Sequence, residues 1–461
     1  MNIAIILAAG EGTRMKSNKS KVLHKVCGKP ILSYIVDASK NAAIKKNIVV
    51  VGHGGEEVEK CFKEEDVVFV KQPIGENIPY GTGYAVMQAK NYIDNDSNVI
   101  ILYGDTPLIT ENTINSLIEY HEKGKFDGTV LTAVLDDPTA YGRIVRDDSG
   151  ELVGIVEEKD ATVEEKKIKE INSGIYCFRG KLLKDALDKI NNDNAQGEYY
   201  VTDVIEILKK EGYKVGAYVI DDSTEINGIN TRVQLAFSEK MMRARINERH
   251  MLNGITIIDS DNTYIQDTVK IGKDTVIYPG VILEGNTIIG EDCIIGHNTK
   301  IVNSNIKDGV EIETSTILDS TVGEESKIGP YAYLRPNSNI GKRVKIGDFV
   351  EVKNSTIGDY SKASHLSYIG DATVGKNVNI GCGVVFVNYN GKVKQKTIVE
   401  DNGFVGSNSN LVAPVTVREG GYVAAGSTIT DEVPANALSI ARGRQVNKED
   451  WATKKDFNDD N

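Results

Sequence analysis

The stretch 271–296 reads IGKDTVIYPGVILEGNTIIGEDCIIG, and its spacing decides the fold of half the chain. Aliphatic residues fall six apart at Ile265, Ile271, Ile277, Leu283, Ile289, Ile295 and Ile301. The beat slips and resumes at Val322, Ile328, Leu334, Ile340, Ile346 and Val352, and again at Val399, Val405, Leu411, Val417, Val423 and Ile429. Glycine often follows, as at Gly272, Gly290, Gly296, Gly323, Gly329, Gly341 and Gly347. Neither the helical period nor the strand period gives this spacing. A chain that turns a corner after each short flat face does, with one aliphatic side chain per face pointing inward and small residues easing the bends. A single coil cannot bury its own face, so coils stack. The pattern predicts a left-handed parallel β-helix of hexapeptide repeats, roughly ten coils and about 50 Å long at ordinary strand spacing.

A chain of 461 residues suggests two or three domains with ample core. Hydrophobic residues at 40% and charged residues at 26% are ordinary for a soluble globular protein. Apolar runs fall short of the ~20 residues a membrane span needs, so no membrane partner is expected. Met1 to Leu7 is apolar without a basic leader and reads as a strand rather than a signal peptide. Cys27, Cys61, Cys177, Cys293 and Cys382 are scattered, with no Cys-x-x-Cys pair, so neither a disulfide framework nor a structural zinc site is expected, and a reducing cytoplasm is the simplest location. The formal net charge of −12 argues against a nucleic-acid partner. Any phosphate site must then be built locally, from backbone N–H groups, selected lysines and arginines, or a metal.

Residues 1–229 alternate strand and helix signals. Ile3–Ala8, Ile48–Val51, Val67–Val70 and Val99–Tyr103 read as buried strands; Pro30 opens one helix pattern, and Glu111–Lys123 reads as another. This alternation predicts a Rossmann-like, doubly wound, mostly parallel sheet. Residues 230–251, rich in Arg, Glu, Met and Gln, read as a linking helix. Residues 252–461 form the β-helix and a polar tail, with 456–461 expected to be disordered.

Leu7-Ala8-Ala9-Gly10-Glu11-Gly12-Thr13-Arg14-Met15 follows the first strand, and Lys21-Val22-Leu23 comes soon after. Small residues let backbone N–H groups approach phosphates, and the cations Arg14 and Lys21 suit a triphosphate. The loop is neither a P-loop nor the three-glycine dinucleotide fingerprint. It resembles the glycine loop of the sugar-phosphate nucleotidyltransferases. With the hexapeptide half behind it, nearly the whole chain resembles the bacterial family that combines N-acetylglucosamine-1-phosphate uridylyltransferase and glucosamine-1-phosphate N-acetyltransferase activities.

The resemblance implies a set of roles. Leu7, Ala8, Ala9 and Gly10 with Lys21 and Arg14 would bind UTP and assist its transfer; Gln72, Gly81 and Thr82 would contact uracil. Tyr103, Gly104 and Asp105 lie where a strand ends, and ligands of parallel sheets bind beyond the carboxyl ends of strands. Asp105 and Asn230 would be Mg²⁺ ligands, a reasonable set for an ion that keeps waters and takes few protein oxygens. Gly142, Glu157 and Asn172 would bind the sugar. The segment 73–80 is longer than the family pattern between Gln72 and Gly81.

In the β-helix half, only His297 and His365 are histidines. His365 lies in Lys362-Ala363-Ser364-His365-Leu366-Ser367-Tyr368-Ile369-Gly370, which resembles the acetyltransferase motif whose histidine is the base, with Ser364 in place of the usual glycine. Imidazole is suited to taking a proton from an amine near neutral pH. The beat lapses between Phe386 and Val399, so Asn388-Tyr389-Asn390-Gly391-Lys392 is expected to loop out of the prism. By resemblance, Arg335, Lys353, Tyr368 and Asn379 hold the sugar phosphate, Asn388 and Tyr389 frame the reacting centre beside acetyl-CoA, and Cys382, Ser407, Ala425 and Arg442 line the acetyl-CoA groove. Hexapeptide acyltransferases are typically trimers, which implies a homotrimer acting on small-molecule substrates.

Three other readings stand beside this one. A β-helical carbonic anhydrase needs three imidazoles on zinc, and the half carries two histidines. An exchange-factor subunit would have lost its catalytic groups, whereas Lys21, Asp105 and Asn230 are present. A single-activity sugar-phosphate nucleotidyltransferase with a structural or regulatory prism would have no use for His365 and the 388–392 loop.

Overall fold

The computed structural model describes residues 1–76, 78–194 and 196–454; the expectation for the tail at 456–461 falls outside the described residues. The chain divides into two compact units, Met1–Arg243 and Ala244–Asn461.

The first unit is built on one sheet. Its path runs Val215–Val219, Gly128–Val134, Glu170–Arg179, Asn98–Tyr103, Asn2–Ala8, Lys46–Val51, Val68–Lys71. Asn2–Ala8 is central and parallel to both neighbours, and its Ile3, Ala4, Ile5 and Ile6 are wholly buried. Continuous apolar strands of this kind are what a sheet covered on both faces requires. The sheet is more mixed than the alternation alone suggests, because Glu170–Arg179 runs antiparallel to both of its neighbours on the path. It also carries the hairpin Arg143–Arg146 and Leu152–Val156. Helix Glu111–Lys123 has the expected bounds, with Thr110 Oγ1 accepting from Thr113 N–H as its cap. Pro30 stands at the cap position, one residue before helix Ile31–Asn41. The long helix spans Arg232–Leu252.

The second unit is a prism of three parallel sheets with 11, 10 and 9 strands. Register is continuous along each face: Ile277 pairs with Ile295, then Ile312, Ile328 and Ile346. These five side chains stack inward and are buried. The coils also continue where the six-residue beat lapses. Ile306, Ile317, Ile357 and Val374 follow faces of five residues instead of six, and Ala363 and Phe386 fill inward positions without being medium-sized aliphatics.

Of the seven glycines named after aliphatic residues, Gly329 alone has a positive φ, at 101°; the others do not bend the chain as expected. Gly272, Gly290, Gly323 and Gly341 are absent from the left-handed region, and a Cβ at Gly272 would lie 2.5 Å from the Gly290 carbonyl carbon of the next coil. Close approach between coils is the constraint there. The left-handed bends fall at other positions: at glycines such as Gly280, Gly285 and Gly309, often at Asn and Asp such as Asn298, Asn303, Asp319, Asn337, Asn354 and Asp371, and at larger residues such as Tyr331 and Phe349.

Because Ile346 is fully buried within one of these ladders, Ile346→Ala should cost about 2–5 kcal/mol of stability. Urea unfolding of the full chain checks this; a loss below about 0.5 kcal/mol would mean that the stack is not close-packed.

Candidate active sites

Strand Asn2–Ala8 delivers the glycine loop to the carboxyl edge of the sheet, beside Tyr103 at the end of Asn98–Tyr103. The Gly104 N–H donates to the Leu7 carbonyl at 2.8 Å and ties the two strand ends together. Gly12 has φ 67°, and a Cβ there would meet Lys21 Cβ at 2.8 Å, so only glycine lets the loop fold against Lys21. A cavity of about 250 Å³ opens here, and Leu7, Ala8, Ala9, Gly10, Lys21, Gln72, Gly81, Thr82, Tyr103 and Asp105 all line it.

The wall holding Gly81 is fixed from a distant part of the chain. Gly83 N–H donates to the Tyr199 carbonyl at 2.8 Å, and Val201 N–H donates to Thr82 Oγ1 at 3.1 Å. A Cβ on Gly81, whose φ is 118°, would lie 2.3 Å from the Tyr199 oxygen. The long 73–80 segment does not displace Gln72, which is buried and on the cavity wall, its N–H donating to Val51 at 2.8 Å. Tyr80 and Glu198 also line the cavity and were missed by sequence reasoning. Tyr80 could have been noticed beside Gly81; Glu198 carries no local signal. Arg14 is exposed in the short turn Thr13–Met15 and is not on the cavity wall.

Asp105 and Asn230 converge. Lys21 Nζ lies between them, in an ion pair with Asp105 Oδ2 and donating to Asn230 Oδ1 at 3.0 Å. The Ile229 N–H, donating to the Asp105 carbonyl at 2.9 Å, brings 227–230 to this point. Two oxygens that gather a cation in this way fit a small hard metal ion. Among the described residues, no group of three or more His, Cys, Asp or Glu could hold a metal by itself, so such an ion would need substrate oxygens as well.

Gly142, Glu157 and Asn172 lie together. The Glu157 carboxylate oxygens sit 3.2 and 3.3 Å from where a Gly142 Cβ would be, and Asn172 N–H donates to the Gly142 carbonyl at 2.9 Å. Asn172 Oδ1 accepts from Gly174 N–H at 2.9 Å and from the Tyr176 hydroxyl at 3.0 Å, which leaves its amide NH₂ for a ligand. Burial, then the charges of Asp160 and Asp203, raise the Glu157 carboxyl above its usual range. Burial likewise raises the Tyr103 phenol, with Asp105 and Glu157 adding to it.

In the prism, the registers place Asp348, His365, Cys382, Ser407 and Ala425 at equivalent positions of five successive coils, three residues after the paired Lys345, Lys362, Asn379, Phe404 and Tyr422. One corner of the prism therefore carries the histidine and three of the four residues expected at the acetyl-CoA groove. The fourth, Arg442, donates from Nη1 to the Ala425 carbonyl at 2.8 Å. His365 Nδ1 lies 2.6 Å from Asp348 Oδ1, and the hydrogen bond from His365 holds the Asp348 carboxyl below its usual range. An ionised Asp348 keeps the ring proton on Nδ1 and leaves the Nε2 lone pair outward. Asp348 was missed, although it lies one coil length before His365.

Arg335, Lys353 and Tyr368 share the next face. Arg335 Nη1 donates to Glu351 Oε1 at 2.8 Å; Glu351 pairs with Tyr368 and Lys353 with Gly370 in the register. Lys394, also missed, comes from the expelled loop between Val385–Val387 and Thr397–Val399. It lies against Lys353, whose hydrogen bond and charge lower the Lys394 ammonium below its usual range. Two adjacent ammonium groups favour a dianion. Asn388 Nδ2 donates to Asp371 and, at 3.4 Å, to the Tyr368 hydroxyl, which anchors the loop; Tyr389 is exposed, its hydroxyl donating to the Gly391 carbonyl at 2.7 Å. Asn379 stands apart, on the face that carries Lys362 and Phe404.

The fold and these two sites define a nucleotidyltransferase joined to a hexapeptide-repeat transferase. The nucleotidyl transferase family matches residues 3–226, and the bacterial transferase hexapeptide repeat matches 268–303 and 319–354. The chain is 59% identical to the bifunctional protein GlmU of Clostridioides difficile (strain 630), covering 99% of this chain and 98% of that one. It is 58% identical to the bifunctional protein GlmU of Alkaliphilus metalliredigens (strain QYMF), covering 98% of each, and 54% identical to that of Clostridium kluyveri (strain NBRC 12016), covering 98% of this chain. The chain belongs to the bifunctional GlmU family and is an enzyme of UDP-N-acetylglucosamine synthesis with uridylyltransferase and acetyltransferase activities. No helix among the described residues is long and apolar enough to cross a membrane.

Asp203, whose charge acts on Glu157, has its own carboxyl pushed up to about 6 from 3.8, chiefly by burial and then by Glu206. Its folded form holds a proton that the unfolded chain has already lost between those values. Its contribution to stability is therefore full below the lower value and is lost as pH rises through the upper one. Asp203→Asn should be more stable than the parent at pH 7.5 relative to the same comparison at pH 4, by urea unfolding at both. An equal difference at the two values would rule this out.

Proposed function

We propose that the prism acetylates glucosamine-1-phosphate from acetyl-CoA, and that the first unit then joins the resulting N-acetylglucosamine-1-phosphate to UMP drawn from UTP, releasing pyrophosphate. The single observation that carries this division is the corner on which Asp348–His365 heads a column of small residues.

In acetyl transfer, the glucosamine amine must lose a proton to attack the thioester carbonyl. His365 Nε2 takes that proton while Asp348 holds Nδ1–H. The new C–N bond forms, the C–S bond breaks, and the proton held on His365 Nε2 passes to the leaving sulfur, so that coenzyme A leaves as the thiol. Lys353, Lys394 and Arg335 hold the phosphate dianion with Tyr368; Asn379 assists from the adjoining face. Asn388 and Tyr389 frame the reacting centre. Cys382, Ser407 and Ala425 are small enough to leave a groove for the acetyl-CoA arm, which Arg442 borders.

Uridylyl transfer needs no general base, because the attacking sugar phosphate is already ionised at neutral pH. A phosphate oxygen attacks the α-phosphorus of UTP and pyrophosphate leaves. Lys21 and the N–H groups of Ala8, Ala9 and Gly10 offset the repulsion between the two anions, and Arg14, exposed beside the loop, adds positive charge from outside the cavity wall. Gln72, Gly81 and Thr82 hold the uracil, while Gly142, Glu157 and Asn172 hold the sugar. Asp105 and Asn230 would hold Mg²⁺, which when bound neutralises phosphate charge. The working form is a cytoplasmic homotrimer. Exposed Tyr331, Phe349 and Leu366, at equivalent positions of consecutive coils, supply an apolar stripe for the neighbouring prisms.

Two substitutions in the full chain test this together. Asp105→Asn should lower uridylyl transfer by about 10²-fold or more and leave acetyl transfer near the parental rate. His365→Ala should lower acetyl transfer by about 10²–10⁴-fold and leave uridylyl transfer unchanged. Equal loss of both activities in either folded variant, or near-parental acetyl turnover in a stable His365→Ala protein, would refute the assignment.

A further inference from the structure

Arg143 is a charged side chain in the interior, only 2% exposed. Its Nη2 donates to Glu158 Oε2 at 2.7 Å, and its Nη1 donates to the Tyr141 carbonyl. Its Nε is buried without a hydrogen-bond partner among the described residues. Burying a guanidinium costs free energy that an apolar residue of similar size would not, so this position is poorly explained by stability alone.

The location suggests another reason. Arg143 opens one strand of a hairpin and pairs with Val156 on the other, and it also pairs with Ile171 of the central sheet. Three stretches of chain meet at its backbone. One residue along each of them stands a member of the sugar cluster: Gly142 beside Arg143, Glu157 beside Val156, and Asn172 beside Ile171. The guanidinium then crosses from the first stretch to the second, from the Tyr141 carbonyl to Glu158. Glu157 follows the end of the strand, and its carbonyl accepts from the Asp160 and Ala161 N–H groups, both at 3.0 Å, so Glu158 begins a tight turn. Holding Glu158 against Arg143 pins that turn and with it Glu157, whose carboxylate rests against Gly142 with oxygens 3.2 and 3.3 Å from the position of an added Cβ.

We propose that Arg143 is a positioning residue for uridylyl transfer, a buried clamp that fixes the direction of Glu157 and so sets affinity for the sugar phosphate without touching it. The proposal rests on the assignment of Gly142, Glu157 and Asn172 to the sugar. It separates Arg143 from Lys21 and Asp105, which line the cavity and act on the triphosphate. Lysine would keep the charge but lose the fork that reaches a carbonyl and a carboxylate at once.

Steady-state kinetics on the full chain with Arg143→Lys, Glu158→Gln, Glu157→Gln and the double variant Arg143→Lys/Glu157→Gln tests this, with acetyl transfer measured in each as a control for folding. Arg143→Lys should raise KM for N-acetylglucosamine-1-phosphate about tenfold while KM for UTP and acetyl transfer stay parental. Glu158→Gln, which leaves Arg143 an uncharged acceptor, should shift the same KM in the same direction and decides the matter if Arg143→Lys does not fold. The double variant should bind sugar phosphate no more weakly than Glu157→Gln alone, because Arg143 acts through that side chain. Parental sugar KM in Arg143→Lys and Glu158→Gln, equal rises for sugar phosphate and UTP, or additive losses in the double variant would overturn the clamp. An unchanged sugar KM in Glu157→Gln would instead overturn the sugar assignment beneath it, and the clamp with it.

Discussion

Stacked parallel register is the constraint on which the second unit depends. A coil with one aliphatic side chain per face has no core until another coil covers it, and the ladder from Ile277 to Ile346 is that cover repeated. A slip of one residue would turn an inward side chain to solvent, so register is strongly held. Chemistry inherits this precision. His365 and Asp348 meet at 2.6 Å because they hold the same position on adjacent coils, and the small residues below them hold it on the coils that follow. What cannot be accommodated in the register is expelled, and the expelled loop brings Lys394 to Lys353.

The first unit meets a different demand. A chain with a net charge of −12 must attract anionic substrates by local arrangement. Its sheet places a glycine loop, Lys21 and the Asp105–Asn230 pair at one edge, so that cations and backbone N–H groups act over short distances where screening matters least.

Much of this was legible in the sequence because periodicity and local loops are local facts. The six-residue beat revealed the prism, and the run from Leu7 to Met15 marked the loop that lines the cavity. Faces of five residues such as those ending at Ile306 and Ile357 hid the continuity of the coils, since counting by six skips them. The glycines after the aliphatic residues were read as bends, whereas Gly272 and Gly341 answer to the approach of the next coil, and the left-handed bends fall elsewhere, at Asn298 and Asp319 and at glycines such as Gly280 and Gly285. The antiparallel strand Glu170–Arg179 gave no sign of its direction, which depends on partners more than thirty residues away. Glu198 and Lys394 reach their sites through pairings that only the folded chain creates. Asp348 was recoverable by counting one coil back from His365.

The central claim is that one chain carries out two sequential transfers at two distinct sites. Mass spectrometry of the products formed from glucosamine-1-phosphate, acetyl-CoA, UTP and Mg²⁺ tests it most directly. The account predicts UDP-N-acetylglucosamine only when all four are supplied, with N-acetylglucosamine-1-phosphate accumulating when UTP is left out. Formation of UDP-glucosamine as the main product, or no acetylated sugar phosphate in the absence of UTP, would contradict it.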